Sequence, residues 1–143
     1  MKSTKITIKT KNNSYPIFFG DGNLNKTGKI IKKKLPKVKK ISIICDKNVP
    51  NIFIKKLKIS LQKYEVKIYK MIATEKTKSF KVAQKLIESL LKDNLNRSDC
   101  IISFGGGIIS DLSAFVSNLI KRGVKFVNIP TTLLAQVDAS IGG

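Results

Sequence analysis

Histidine and tryptophan are both absent from this chain of 143 residues, and only two cysteines occur. Without histidine, the side chain that most often moves protons near neutral pH or ligates zinc is missing, so a self-contained histidine-based hydrolase is excluded. Cys45 and Cys100 lie in largely apolar surroundings and are too few for a disulfide framework; they read as small buried hydrophobes in a reducing compartment. No apolar run approaches the length needed to span a bilayer, and Met1 to Lys11 alternates Lys and Thr with Ile instead of carrying a signal-type apolar segment. A soluble cytoplasmic protein with no membrane partner is the expectation.

Acidic residues are scarce as well, nine against 28 basic ones, for a net charge of +19. The basic set is 26 Lys and 2 Arg, and it is lopsided: residues 1 to 70 hold 19 Lys and only Asp21, Asp46 and Glu65. Such a surface attracts polyanions. Recognition of bases or phosphates usually draws on Arg forks and aromatic stacking, however, and here Lys is spread through every segment. A solvated Lys-rich surface is therefore the favoured reading, with no specific nucleic-acid partner. A hydrophobic content of 42% is ample for a buried core and for one domain spanning residues 1 to 143.

Ile6 and Ile8 alternate with polar residues, Lys11 to Ser14 supplies a turn, and Tyr15 to Phe19 resumes an extended pattern, which predicts an N-terminal β-hairpin. After Gly20-Asp21-Gly22, helical spacing of Leu24, Gly28, Ile31 and Leu35 predicts a helix closed by Pro36. Ile41 to Cys45 is a short run of the kind covered on both faces of a sheet. Pro50 suits the first turn of a helix carrying Ile54, Leu57 and Leu61, and Val66 to Met71 reads as the next strand. Ser79 to Lys92 then aligns Phe80, Ala83, Ile87, Leu90 and Leu91 on one helical face. Cys100 to Phe104 is a second buried strand, Ile108 to Lys121 a helix stopped by Gly123, and Lys125 to Ile129 a further strand. Strand and helix alternating in this way predict an α/β fold with right-handed crossovers and a parallel sheet.

Ligands of such sheets bind beyond the carboxyl ends of the strands. Three segments fall there. Gly105-Gly106-Gly107, followed by Asp111, joins a buried strand to a helix, where bare backbone amides and the helix N-terminus could receive a phosphate; a purely structural turn is the alternative. Asp46 ends the first buried strand and could accept from ribose hydroxyls, or equally serve as a turn or capping residue. Glu75 and Lys78, three apart, read in isolation as a solvated ion pair.

The run from Arg122-Gly123 through Phe126, Pro130-Thr131-Thr132-Leu133-Leu134-Ala135-Gln136-Val137-Asp138 to Ser140 and Gly142-Gly143 closely resembles the signature of 3-dehydroquinate synthase. The resemblance extends back through Gly105 to Asp111, Glu75-x-x-Lys78-Ser79 and Asp46 to Ser14-Tyr15-Pro16-Ile17, so it covers the chain in order. It implies a Rossmann-like NAD-binding domain of parallel sheet and flanking helices, followed in the family by a helical domain that holds a divalent metal, zinc or cobalt. Members convert 3-deoxy-D-arabino-heptulosonate 7-phosphate to 3-dehydroquinate and phosphate on the shikimate route to chorismate and the aromatic amino acids. NAD removes a hydride, phosphate leaves by β-elimination, the hydride returns, and ring opening with an intramolecular aldol closes the carbocycle.

By the same resemblance, Asp46 accepts from the adenosine ribose, Glu75 and Lys78 are further cofactor contacts, and Gly105, Gly106, Gly107 and Asp111 hold the pyrophosphate and nicotinamide-ribose region. Thr131 and Thr132 add hydroxyl contacts to NAD. Arg122 matches a ligand of the substrate phosphate that serves a neighbouring subunit, implying a homodimer, and Asp138 a carboxylate that contacts the sugar phosphate. No catalytic residue and no metal ligand is assigned within these residues. Ser110 stands where the family usually has Gly, Ala114 where it often does, and Ile120 where an aromatic is common. The family continues past the position of Gly143 with a Lys-Thr segment and then the metal-binding Glu and two His, so the chain is expected to be an N-terminal piece, inactive alone. A sister sugar-phosphate cyclase and, more remotely, a Lys-rich polyanion-binding module are the alternatives.

Overall fold

The computed structural model describes residues 4–11 and 14–139. The predicted turn at Asn12-Asn13 and the stretch from Ser140 to Gly143 lie outside the described residues. The chain opens with an antiparallel hairpin of β1 (Thr4–Lys9) and β2 (Ser14–Phe19), in register from Thr4 opposite Phe19 to Lys9 opposite Ser14. Pro16 has no N–H to donate, and a two-stranded ribbon tolerates that because each strand is an edge. Gly20 and Gly22 then take left-handed φ angles of 117° and 76°, which turns the chain into α1 (Asn23–Lys34).

The body is a four-stranded parallel sheet of β3 (Lys40–Asp46), β4 (Glu65–Met71), β5 (Cys100–Gly105) and β6 (Lys125–Pro130), in the spatial order β4-β3-β5-β6. The central strands are those whose sequences are nearly all apolar: Ile41 to Cys45 and Cys100 to Gly105 are buried throughout. The edge strand β4 alternates exposed and half-buried residues. Along β3 the pleat sends Ile41, Ile43 and Cys45 to one face and Ile44 to the other. On the first face these residues meet Ile31 of α1 and Ile54 and Leu57 of α2 (Asn51–Ser60), together with Cys100, Ile102 and Phe104. On the second they meet Ala83, Leu86 and Leu90 of α3 (Phe80–Lys92) and Ile109, Leu112 and Val116 of α4 (Gly107–Leu119).

The crossovers therefore run outward from β3 in opposite directions, α2 to β4 across one face, α3 and α4 to β5 and β6 across the other. The order reverses between β3 and β5. That is the place where the loops at the carboxyl ends diverge and leave a crevice.

Two details differ from the sequence pattern. Phe80 and Leu91, expected on the buried face of α3, are exposed, because the stripe that meets the sheet is the narrower set Ala83, Leu86 and Leu90. The last helix stops at Leu119, and Ile120–Arg122 forms a tight turn that leaves the helical region at Lys121, in place of the last predicted helical residues. At the far end of α3, the Asp93 carboxylate accepts from the Tyr69 hydroxyl and pairs with Lys67, tying that helix end to β4.

Helices α1 and α2 touch through backbone. A Cβ placed on the buried Gly28 would sit 1.8 Å from the carbonyl oxygen of Ser60. No rotamer relieves such a clash, so the helices must separate. Gly28→Ala is expected to lower the unfolding free energy by about 1–3 kcal/mol, read as a lower urea midpoint. Lys29→Ala, at the exposed neighbour, should stay within about 0.5 kcal/mol.

Candidate functional site

The register of the sheet brings two of the singled-out segments to one level. Cys45 is paired with Phe104, so Asp46 and Gly105 follow side by side at the carboxyl ends of β3 and β5. A Cβ on Gly105 would lie 3.2 Å from Cβ of Asp46 and 2.9 Å from Cβ of Ile109, so only glycine lets strand, helix and aspartate approach this closely. Asp46 is half-buried, and its Oδ1 accepts the Asn48 N–H at 2.9 Å. The turn role and the acceptor role are thus compatible, because the turn uses one oxygen, Oδ1.

Helix α4 starts directly behind the glycines. Its N-cap is Gly106, and no side chain caps its first turn. The first amides of a helix have no intrahelical partner and carry the positive end of its dipole, so an uncapped start beside bare glycines suits an anionic group. The adjoining wall is Thr131 and Thr132. Thr131 N–H donates to Gly105 O at 2.9 Å, and Thr132 Oγ1 accepts from Ala135 N–H at 3.2 Å. A Cβ on Gly106 would come within 3.1 Å of Thr132 Cγ2, so a side chain there would fill the gap between turn and wall.

From the other side the segment after β4 reaches the same helix. Glu75–Thr77 forms one 3-10 turn, pinned by Thr77 Oγ1 donating to Ile72 O at 2.6 Å. Lys78 does not pair with Glu75 as local spacing suggested. Its Nζ lies 2.8 Å from Asp111 Oδ2 on α4. The hydrogen bond and charge of Asp111, with a lesser contribution from Glu75, hold the Lys78 ammonium above the ordinary lysine range. Asp46, Lys78, Gly105 to Gly107, Asp111, Thr131 and Thr132 therefore surround one end of the sheet.

Arg122 is not among them. It lies beyond the far end of α4, about 20 Å from the glycine turn at 1.5 Å per helical residue. There Lys121, Arg122 and Gly123 take successive left-handed φ angles of 52°, 63° and 98°. For the two non-glycine residues such a conformation costs about 1 kcal/mol each or more. Asp138 is exposed on the single π-turn Ala135–Ala139.

The sequence reading passed over a polar trio beneath the glycine turn, two buried serines and the half-buried Asn128. Ser103 Oγ and Ser110 Oγ donate to Asn128 Oδ1 at 2.8 and 2.9 Å, linking β5, α4 and β6. Hydroxyls inside an otherwise apolar strand were the available signal. Ser110 also explains how the helix entry accommodates a side chain: its hydroxyl has a partner. Among the described residues no group of three His, Cys, Asp or Glu side chains could hold a metal ion.

A family model described as 3-dehydroquinate synthase N-terminal matches residues 68–143. The chain is 43% identical over 139 residues to the 3-dehydroquinate synthase of Pelagibacter ubique (strain HTCC1062), covering 97% of this chain and 38% of that protein. It is 42% identical over 140 residues to that of Thermoanaerobacter sp. (strain X514), covering 96% and 39%. The chain thus spans less than two-fifths of the length of these curated relatives. Among solved structures, 2-deoxy-scyllo-inosose synthase complexed with carbaglucose-6-phosphate, NAD+ and Co2+ superposes with a TM-score of 0.86 at 22% identity, over 95% of this chain and 37% of that one. That likeness speaks for the fold.

Packing beneath Asp46 has a chemical signature. Burial, reinforced by the Asp46 charge and opposed by Lys70, pushes the Cys45 thiol up to about 11, and burial with Asp99 pushes Cys100 to about 12. Both therefore stay protonated and poorly nucleophilic at pH 8. A disulfide reagent at that pH should leave both thiols of the native chain unmodified while reacting fast in denaturant; rapid labelling of native Cys45 would contradict closed packing under the site.

Proposed function

The chain belongs to the 3-dehydroquinate synthase family, and from that premise we propose that it is the NAD-binding portion of a 3-dehydroquinate synthase. The observation that carries this reading is the uncapped start of α4 behind Gly105 to Gly107, set beside Asp46 at the strand-order reversal. The parent reaction in this proposal converts 3-deoxy-D-arabino-heptulosonate 7-phosphate to 3-dehydroquinate and phosphate. Bound at the crevice, NAD would supply reversible removal of a hydride from the substrate. The curated relatives at 42–43% identity, all named for this activity, favour it over the sister cyclase, whose likeness rests on 22% identity.

Each residue has a task in this reading. Asp46 Oδ2 accepts from hydroxyls of the adenosine ribose, and its charge disfavours a phosphorylated ribose. The amides at the start of α4 hold the pyrophosphate, with Gly105 and Gly106 keeping side chains out of its path. Thr131 and Thr132 border the same channel. Lys78 and Asp111, exposed and paired, offer a donor and an acceptor toward the nicotinamide ribose, with Glu75 adjoining.

Arg122 stands too far from this crevice to serve it. Its strained backbone at an exposed corner suits a role in the site of a second copy, where a guanidinium fork would grip a phosphate dianion. A homodimer follows from that assignment. Asp138 borders the sugar-phosphate side.

The metal expected of the family, zinc or cobalt, finds no ligand set among the described residues, so no step is assigned to it here. Turnover would draw on parts of the relatives that this chain does not match. We therefore place cofactor binding in these residues and catalysis in the longer assembly, a soluble biosynthetic enzyme of the cytoplasm.

Loss of a charged acceptor for ribose hydroxyls is worth about 1.5–3 kcal/mol. Asp46→Ala should accordingly raise the Kd for NAD by about 10- to 100-fold in calorimetric titration, and NADP should bind the unaltered chain more weakly than NAD. For the reaction, a full-length protein carrying this chain should release inorganic phosphate from the heptulosonate phosphate with NAD and a divalent cation. Inactivity there with activity on another sugar phosphate would transfer the reading to a sister cyclase.

A further inference from the structure

The outer surface of α3 and α4 carries a contact that core packing does not require. Phe80, the first residue of α3, is 82% exposed, and Phe115 on α4 is 40% exposed. Their rings nevertheless meet edge to face, with centroids 5.7 Å apart and planes at 76°. Neither ring belongs to the apolar cluster beneath the two helices.

The pair has a neighbour. Two residues before Phe80 is Lys78, and four residues before Phe115 is Asp111, its partner at 2.8 Å. Positions four apart lie on one helical face, so α4 offers Asp111 and Phe115 as two consecutive sockets, and the segment entering α3 fills both. An exposed lysine-carboxylate pair alone fixes little, because its gain is offset by ordering a long flexible side chain. A ring contact two residues away involves stiff side chains with few torsions and supplies the missing constraint. Behind Lys78 the chain is already tied down by Thr77 on Ile72 O, and ahead of it Ser79 Oγ accepts the Val82 N–H at 3.4 Å. Across α4, the ion pair and the ring pair join the loop and the start of α3 to the helix surface.

We propose that Phe80 and Phe115 form a positioning clasp that docks the Glu75–Lys78 loop on α4 and fixes Lys78 against Asp111 at the cofactor site. The purpose of the clasp rests on the reading of Lys78 and Asp111 as cofactor contacts; the clasp itself rests on geometry. Both rings are positioning residues, since neither reaches the crevice.

The test uses Phe80→Ala, Phe115→Ala, the double variant, Phe80→Tyr and Lys78→Ala in the 143-residue chain. Four quantities are read: the titration of the Lys78 ammonium by NMR, the Kd for NAD by calorimetry, the molar mass by light scattering, and the melting temperature. Each single alanine variant should return the Lys78 titration toward the ordinary lysine value and raise the Kd for NAD about 2- to 10-fold. The double variant should be no worse than either single one, Phe80→Tyr should restore both readouts, and the melting temperature should hold for the exposed Phe80. An unchanged Lys78 titration in both single variants overturns the clasp. Normal NAD affinity in Lys78→Ala overturns instead the cofactor reading, leaving the titration to judge the clasp separately. A fall in molar mass with the Lys78 titration unchanged assigns the rings to an interface between copies and likewise overturns it.

Discussion

Everything in this molecule hangs on the pairing of β3 with β5. These are the two strands buried on both faces, and the parallel register between them, Ile41 with Cys100 through Cys45 with Phe104, sets Asp46 level with Gly105. Because α2 leaves β3 across one face and α3 crosses back on the other, no connection closes over that junction. The crevice is a consequence of chain topology, and its chemistry is a consequence of what stands at the two strand ends. One contributes a carboxylate, the other three residues without side chains and a helix start without a cap. A register shift of one residue would turn Asp46 to the opposite face and leave the open amides without an acidic neighbour.

The same junction explains where the chain tolerates polar groups. Ser103, Ser110 and Asn128 sit directly under the glycine turn, where three elements must keep a fixed spacing although glycine provides no packing of its own. A hydrogen-bonded trio supplies that spacing, and it remains favourable because its two hydroxyls have a common acceptor. Charge in the central strands is confined to their ends, where Asp46 closes β3 and the buried Asp99, just before β5, accepts the Lys40 N–H at 3.2 Å. Helices α1 and α2 contain eight Lys and no acidic residue, and they pack on the sheet face opposite α3 and α4.

Much of this was legible in the sequence for a simple reason: burial on both faces forces an apolar run short enough to recognise, and β3 and β5 are such runs. The residues after them could then be read as a site. What escaped was non-local. Lys78 is three residues from Glu75, and local spacing favours that pairing, yet the fold brings Asp111 to it from 33 positions away. Phe80 and Leu91 fit the helical period but not the narrower stripe that the sheet accepts, since periodicity reports which residues share a face and not how wide the contact is. The left-handed turn at Lys121 and Arg122 gave no signal beyond Gly123, because neither side chain favours that conformation. The family resemblance singled out the residues; the fold gathers most of them around the crevice and sets Arg122 at the opposite end, beyond α4.

The most direct test of the central claim is backbone amide NMR of the chain titrated with NAD. The account predicts shifts concentrated at residues 46 to 48, 105 to 108 and 131 to 133, with α1 and α2 silent. Shifts confined to the Lys-rich helices, or none at the glycine turn, would contradict it.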